Sequence, residues 1–285
     1  MKKWFVLSAG LVFLAAGVVF TMYRAKASSQ PGLPDLIVDQ KRLLQNWVVR
    51  DEKLPATFCS VEEGGITPGE HTLLRFTVST PNIGTADLAL GDPNVHFDNN
   101  DGLYEFATCH RHFHFRHYTL YELIDPATNQ TWRAAKRGFC MIDVEKYQAY
   151  PGPASNDRNY LSCGAPATAT EPAITGNQGI SVGWADTYVW KLGGQYFVLD
   201  GGDGQLPVPP GDYIIRITVN PPFVSTDPVL DPCRFRDTDG LCHQLQESDY
   251  SNNVTEIKIT IPPHPGKQGV GPLKNQPQLT AEPID

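Results

Sequence analysis

Past its first two dozen residues, the 285-residue sequence has no long apolar run and no sustained helical apolar spacing. A helical bundle and a multi-span membrane protein are therefore poor readings. There is no internal repeat, which argues against solenoids and propellers. Basic charge is also short: 23 Lys and Arg stand against 31 Asp and Glu, a formal net charge of −8. Nucleic-acid phosphates are held by Lys and Arg, so this balance argues against such a partner. An acidic surface attracts cationic amines weakly, and it serves plain solubility equally well.

What is present begins with a targeting pattern. Lys2 and Lys3 precede an apolar run from Trp4 to Met22, and Ala25-Lys26-Ala27 follows as a small-residue cleavage site. Residues 1–27 thus read as a secretory signal peptide or, because the apolar core is long, an uncleaved N-terminal anchor. Either places the rest of the chain outside the cytoplasm: secreted, periplasmic or at the cell surface. Removing four cationic residues with that segment would take the formal charge from −8 to −12. Six cysteines in an exported chain suggest disulfides. Spacing alone cannot choose their partners, although Cys233 and Cys242 bracket a polar loop and are expected to pair locally.

Residues 28–33 read as a linker. Beyond them short segments alternate with period two, the pattern of half-buried strands. Leu74, Phe76 and Val78 share one face, as do Ile215, Ile217 and Val219, and Ile257, Ile259 and Ile261. Pro68-Gly69, Pro81-Asn82, Gly201-Gly202 and Pro210-Gly211 mark turns between such segments. Short strands punctuated by Gly and Pro predict an all-β chain, a β-sandwich core with long loops and little helix. The stretch 262–285 is rich in Pro, Gly and Gln and has no apolar period, which reads as a disordered tail.

The most informative segment is Cys109-His110-Arg111-His112-Phe113-His114-Phe115-Arg116-His117. On a strand, residues i, i+2 and i+4 face one way, so His110, His112 and His114 are expected as a row of imidazoles on one surface. Three neutral imidazoles suit copper, zinc or iron, not calcium or magnesium. The alternative, an unliganded polar face, would crowd three groups that repel when protonated. His117 falls off the alternation and is a candidate for a supporting or catalytic role. His71, His96, His243 and His264 are isolated and read as surface or core residues.

With that segment in view, the chain resembles the lysyl oxidase catalytic domain over about residues 34–260. Cys-His-Arg-His-Phe-His at 109–114 is similar to the family's copper-binding Cys-His-x-His-Tyr-His. The further matches, in family order, are Pro34-Asp35-Leu36, Lys136-Arg137-Gly138-Phe139-Cys140, Gln178-Gly179-Ile180, Asp186-Thr187-Tyr188, Pro210-Gly211-Asp212-Tyr213, Val219-Asn220-Pro221 and the run Glu247 to Asn253. The resemblance implies a catalytic domain at 34–261, copper on the three histidines, and a lysine tyrosylquinone cofactor made from Lys136 and Tyr188. It implies a copper amine oxidase acting on a peptidyl lysine or a smaller primary amine. A base must take the substrate's α-proton, with Asp186 and His117 as candidates. A calcium site is implied at Asp35, the Leu36 carbonyl, Glu247, Asp249, Asn252 and Asn253, oxygen donors that suit a hard cation. The resemblance pairs Cys109 with Cys163, which leaves Cys59 with Cys140. Two family cysteines are replaced near Trp184 and Gly194, and an insertion runs from about Gly164 to Asn177. The competing readings are a non-catalytic copper-binding or adhesion module and, less compatible for want of an H-E-x-x-H spacing, a zinc hydrolase.

Overall fold

The structure is a computed structural model that describes residues 32–63, 66–228 and 231–283. The proposed signal segment and residues 28–31 of the expected linker lie outside the described residues. In chain order the elements are α1 (Gln40–Gln45), β1 (Trp47–Leu54), α2 (Cys59–Glu62), β2 (Gly69–Phe76), β3 (Val78–Pro81), β4 (Leu88–Gly91), α3 (Pro93–Asp98), β5 (Tyr104–Ala107), β6 (His112–Phe115), β7 (Thr119–Ile124) and β8 (Thr131–Arg133). There follow β9 (Glu145–Lys146), β10 (Gln178–Ile180), β11 (Trp184–Tyr188), β12 (Tyr196–Val198), β13 (Gly211–Val219), β14 (Phe235–Arg236), β15 (Cys242–His243) and β16 (Val254–Ile261). Short strands with long loops and very little helix are what the alternation and the Gly/Pro punctuation predict. Among the described residues no helix is long and apolar enough to cross a membrane.

All strand pairs are antiparallel. The largest sheet has the order β16-β13-β7-β8, and two three-stranded sheets run β1-β2-β12 and β3-β11-β9. Period-two side chains from these sheets meet in one core. Ile215, Ile217, Ile257 and Ile259 come from the four-stranded sheet, and Leu74, Phe76, Val78 and Phe197 from the others. Phe76 meets Tyr121 of β7 edge-on, with ring centroids 5.2 Å apart. Burying such faces at about 25 cal/mol per Å² is the main force holding the sheets together.

Two expectations are overturned. The disulfides are Cys59–Cys109, Cys140–Cys163 and Cys233–Cys242. Only the last agrees with the sequence reading; Cys109–Cys163 and Cys59–Cys140 do not form. The reason is placement: α2 brings Cys59 to a Cα separation of 5.5 Å from Cys109, and Cys140 lies 5.4 Å from Cys163.

The tail is the second correction, because its described part, 262–283, is ordered along the edge of β1. Val49 and Val270 exchange backbone hydrogen bonds of 2.9 and 2.8 Å, and Asp51 N–H reaches Gly266 O at 3.1 Å. Gly269 and Gly271 have φ +75° and +121°, and a Cβ on either would come within 2.7 Å of a β1 carbonyl oxygen. The glycines that read as disorder are what allow this close approach. The segment also closes over a buried charge cluster. Glu52 bonds Arg50 at 3.2 Å and Arg75 at 2.6 Å, all three nearly inaccessible to solvent. Arg50 donates onward to the carbonyls of Gln276 and Pro277. Buried charges persist only when paired and hydrogen-bonded, and here the tail supplies part of that pairing.

Candidate metal and cofactor site

Strands β5 and β6 form a hairpin whose turn, 108–111, carries the first histidine. Only His112 and His114 lie on β6; His110 is in the turn, followed by Arg111 in the left-handed region at φ +58°. This corrects the expected single-strand row. On a straight strand, residues i and i+4 stand about 13 Å apart, too far to share an ion. The turn instead folds His110 back, and the ring centroids form a triangle of 5.0, 5.1 and 5.7 Å. Three imidazoles bound to one ion at about 2.0–2.1 Å per nitrogen have centroids about 5 Å apart, so the spacing fits. Among the described residues no group of three or more His, Cys, Asp or Glu is arranged so that it could hold a metal ion as it stands. The fit therefore rests on ring spacing and donor chemistry.

All three histidines are buried, and their surroundings fix them. Glu63, at the end of α2, accepts from the backbone N–H of Cys109 and of His110, and its Oε2 lies 2.6 Å from His110 Nδ1. A carboxylate at Nδ1 holds the proton there and leaves Nε2 as the donor for a metal. The Cys59–Cys109 disulfide ties the same helix to the same turn. On the other side a Cβ at Gly138 would collide with the His114 ring, and one at Gly193 would lie 3.4 Å from His110 Nε2. Glu63 was not found from the sequence, since it lies some 47 residues upstream with no motif around it.

Lys136 is 8% exposed, held by its backbone N–H to Gly194 O at 2.8 Å. Its Nζ lies 4.7 Å from the centroid of the Tyr188 ring and 5.5 Å from that of Phe139. Tyr188 is buried on β11, its hydroxyl donating to Cys140 O at 2.7 Å, with Phe139 edge-on at 5.2 Å. The two residues singled out as cofactor precursors thus meet face to amine. Lys136 lines two cavities. One, of about 380 Å³, also holds His110, His114, Glu63, Glu105 and Gly194. The other, of about 430 Å³, holds His117, Tyr121 and Phe223. Arg137, beside Lys136, pairs with Asp203 at the first cavity.

The two base candidates are placed differently. His117 is partly exposed, stacked on Phe223 with ring centroids 5.4 Å apart, and its Nε2 is 2.9 Å from Asp231 Oδ1. Asp186 is almost fully buried on the same strand face as Tyr188, as alternation predicts, and lines neither cavity. It lies near Tyr118. Burial first, and then the charge of Asp186, push that phenol well above its ordinary range.

The profile of the lysyl oxidase family matches residues 34–229. The chain belongs to the lysyl oxidase family. Among curated proteins it is similar to lysyl oxidase homolog 2 of Homo sapiens, 26% identical over 252 residues, 85% of this chain and 26% of that protein. It is similar to protein-lysine 6-oxidase of Rattus norvegicus, 26% identical over 247 residues, 82% of this chain and 48% of that protein. Lysyl oxidase homolog 4 of Bos taurus is 27% identical over 247 residues, 83% of this chain and 26% of that protein. The chain spans from about a quarter to about half of these lysyl oxidase relatives' lengths.

Elsewhere in this lysyl oxidase domain several of the residues expected around calcium hydrogen-bond one another. Glu247 Oε2 accepts from Leu36 N–H at 2.5 Å, and its Oε1 accepts from Asn253 at 2.9 Å and Asn220 at 2.6 Å. Asn252 donates to Asp35 at 2.9 Å. Burial is the main force pushing the Glu247 carboxyl up to about 7, and the Asp35 charge adds to it. Asp249 stands apart: it is exposed, and its carboxylate closes its own turn by accepting from Ser251 N–H and Oγ–H.

Proposed function

We propose that this chain is an exported copper amine oxidase, converting a primary amine, oxygen and water to an aldehyde, ammonia and hydrogen peroxide. The observation that carries the reading is Lys136 Nζ over the face of Tyr188, with Lys136 also lining the cavity that holds His110 and His114. His110, His112 and His114 would hold copper, Lys136 and Tyr188 would become lysine tyrosylquinone, and Asp35, Leu36, Glu247, Asp249, Asn252 and Asn253 would hold calcium. With oxygen, copper supplies the oxidation of the Tyr188 phenol, and the quinone supplies an acceptor for the two electrons taken from the amine.

The protein's own part is placement and proton handling. Phe139, edge-on to Tyr188, and the Tyr188 hydrogen bond to Cys140 O hold the ring in place beneath the Lys136 amine. Glu63 keeps a proton on Nδ1 of His110. Glu63 and Glu105 in the cavity wall favour a cationic amine over an anion, whether a lysine side chain or a free amine. Asp186 and His117 are the two base candidates, His117 lining a cavity with Lys136 and Asp186 buried away from both cavities. The base is the one whose amide variant, Asp186→Asn or His117→Gln, loses turnover while the quinone still forms.

Phenylhydrazine added to aerobically copper-loaded protein tests the function. Stoichiometric labelling, with peroxide released from a primary amine, is expected. Bound copper with no label and no peroxide would make this a binding module.

A further inference from the structure

The tail ends on the same helix that orients His110. Helix α2 has no side-chain cap of its own, because Phe58 precedes it. From 222 residues away, Glu282 supplies the missing acceptor: its carboxylate takes Ser60 Oγ–H at 2.5 Å and Ser60 N–H at 3.1 Å. The other end of this four-residue helix carries Glu63, which bonds the His110 backbone and imidazole. Gly193 lies between the two: a Cβ there would be 3.2 Å from Glu282 Oε2 and 3.4 Å from His110 Nε2. The rest of the tail is pinned to β1 by Val270, by the carbonyls that Arg50 bonds and by Leu279 N–H on Glu52 Oε1 at 3.2 Å. A charge-assisted bond to Ser60 is thus anchored at one end of a strap and coupled at the other to the histidine turn.

We propose that residues 262–283 form a strap whose Glu282 acts as a positioning residue. It seats α2 against the histidine turn, and through Glu63 it presets the His110 ring for the metal. For its consequence at the metal, the proposal rests on the copper reading above. The metal-free part stands alone: Glu282 restrains α2, and with it the orientation of His110.

The test uses the full chain with Glu282→Ala, a variant that keeps every tail contact to β1. Three readouts are taken: backbone hydrogen exchange over residues 59–63, the ring-nitrogen resonances of His110 in metal-free protein, and copper affinity by competition titration. Exchange should quicken about tenfold, and the His110 nitrogens should move toward the pattern of an unrestrained imidazole. Copper affinity should fall about tenfold, as loss of support behind a ligand does. In a Glu63→Gln background, Glu282→Ala should cost little further affinity, because the strap acts through Glu63. Unchanged exchange and unchanged His110 resonances would overturn the proposal whatever the metal does. Equal affinity losses from Glu282→Ala with and without Glu63→Gln would also overturn it. If the wild type itself takes no copper at the histidines, the copper reading falls instead, and the two metal-free readouts still decide the strap.

Discussion

Two places in this domain gather metal-type donors, and they are built in opposite ways. At the histidine site the donors are imidazole rings set from behind: Glu63 on His110 Nδ1, the Cys59–Cys109 bridge and glycines close against the rings. At the other site the carboxylates are engaged by neighbours, Glu247 with Leu36 N–H, Asn220 and Asn253, and Asp35 with Asn252, while the amide oxygens of Asn252 and Asn253 are buried without a hydrogen-bond partner among the described residues. A ring held from behind changes little when a metal arrives, whereas an oxygen cluster must exchange internal bonds for the ion. The first arrangement suits chemistry, which needs fixed geometry. The second suits a brace, where an ion would tie Asp35 and Leu36 to the 247–253 loop.

The comparison breaks most visibly at the histidine end. His112→Ala should abolish copper binding and quinone formation together, measured by metal analysis and phenylhydrazine labelling. Calcium-dependent melting should survive unchanged, since the two sites share no ligand.

Tyr188→Phe should separate the layers within that end. Copper content stays near stoichiometric, while quinone and turnover fall to background. Stability drops by only about 1 kcal/mol, for the lost hydroxyl bond to Cys140 O. Amine turnover surviving in this variant would place the cofactor elsewhere.

At the oxygen end, calcium at a hundredfold excess over its Kd should stabilise copper-loaded protein by about 2.7 kcal/mol, raising Tm by several degrees. No shift would reduce the cluster to an ordinary buried polar network. The smallest effect is Asp249→Ala without calcium, a slight lowering of Tm for the turn that its carboxylate closes. If Asp249 also reaches the ion, the same substitution should remove part of the calcium-induced rise as well.

Much of this was legible in the sequence where the signal is local. The alternation at Ile215-Ile217-Val219 and Ile257-Ile259-Ile261 gave the inner faces of the main sheet, because period two survives any choice of partner strand. The histidine spacing gave the wrong shape, since i, i+2, i+4 reads as a row until the left-handed Arg111 turns it into a triangle. What stayed hidden is non-local. Glu63 is placed by the course of α2, and the pairings Cys59–Cys109 and Cys140–Cys163 by how loops pack. The tail stayed hidden because its contacts are backbone bonds to β1 and one carboxylate on Ser60. Such contacts leave no apolar period to read.

The most direct test of the central claim, that Lys136 and Tyr188 form one cofactor, is peptide mass mapping of aerobically copper-loaded protein. The account predicts that the peptides carrying Lys136 and Tyr188 are recovered as one covalently joined, oxidised species. Recovery of both peptides separate and unmodified, from protein that holds its copper, would contradict it.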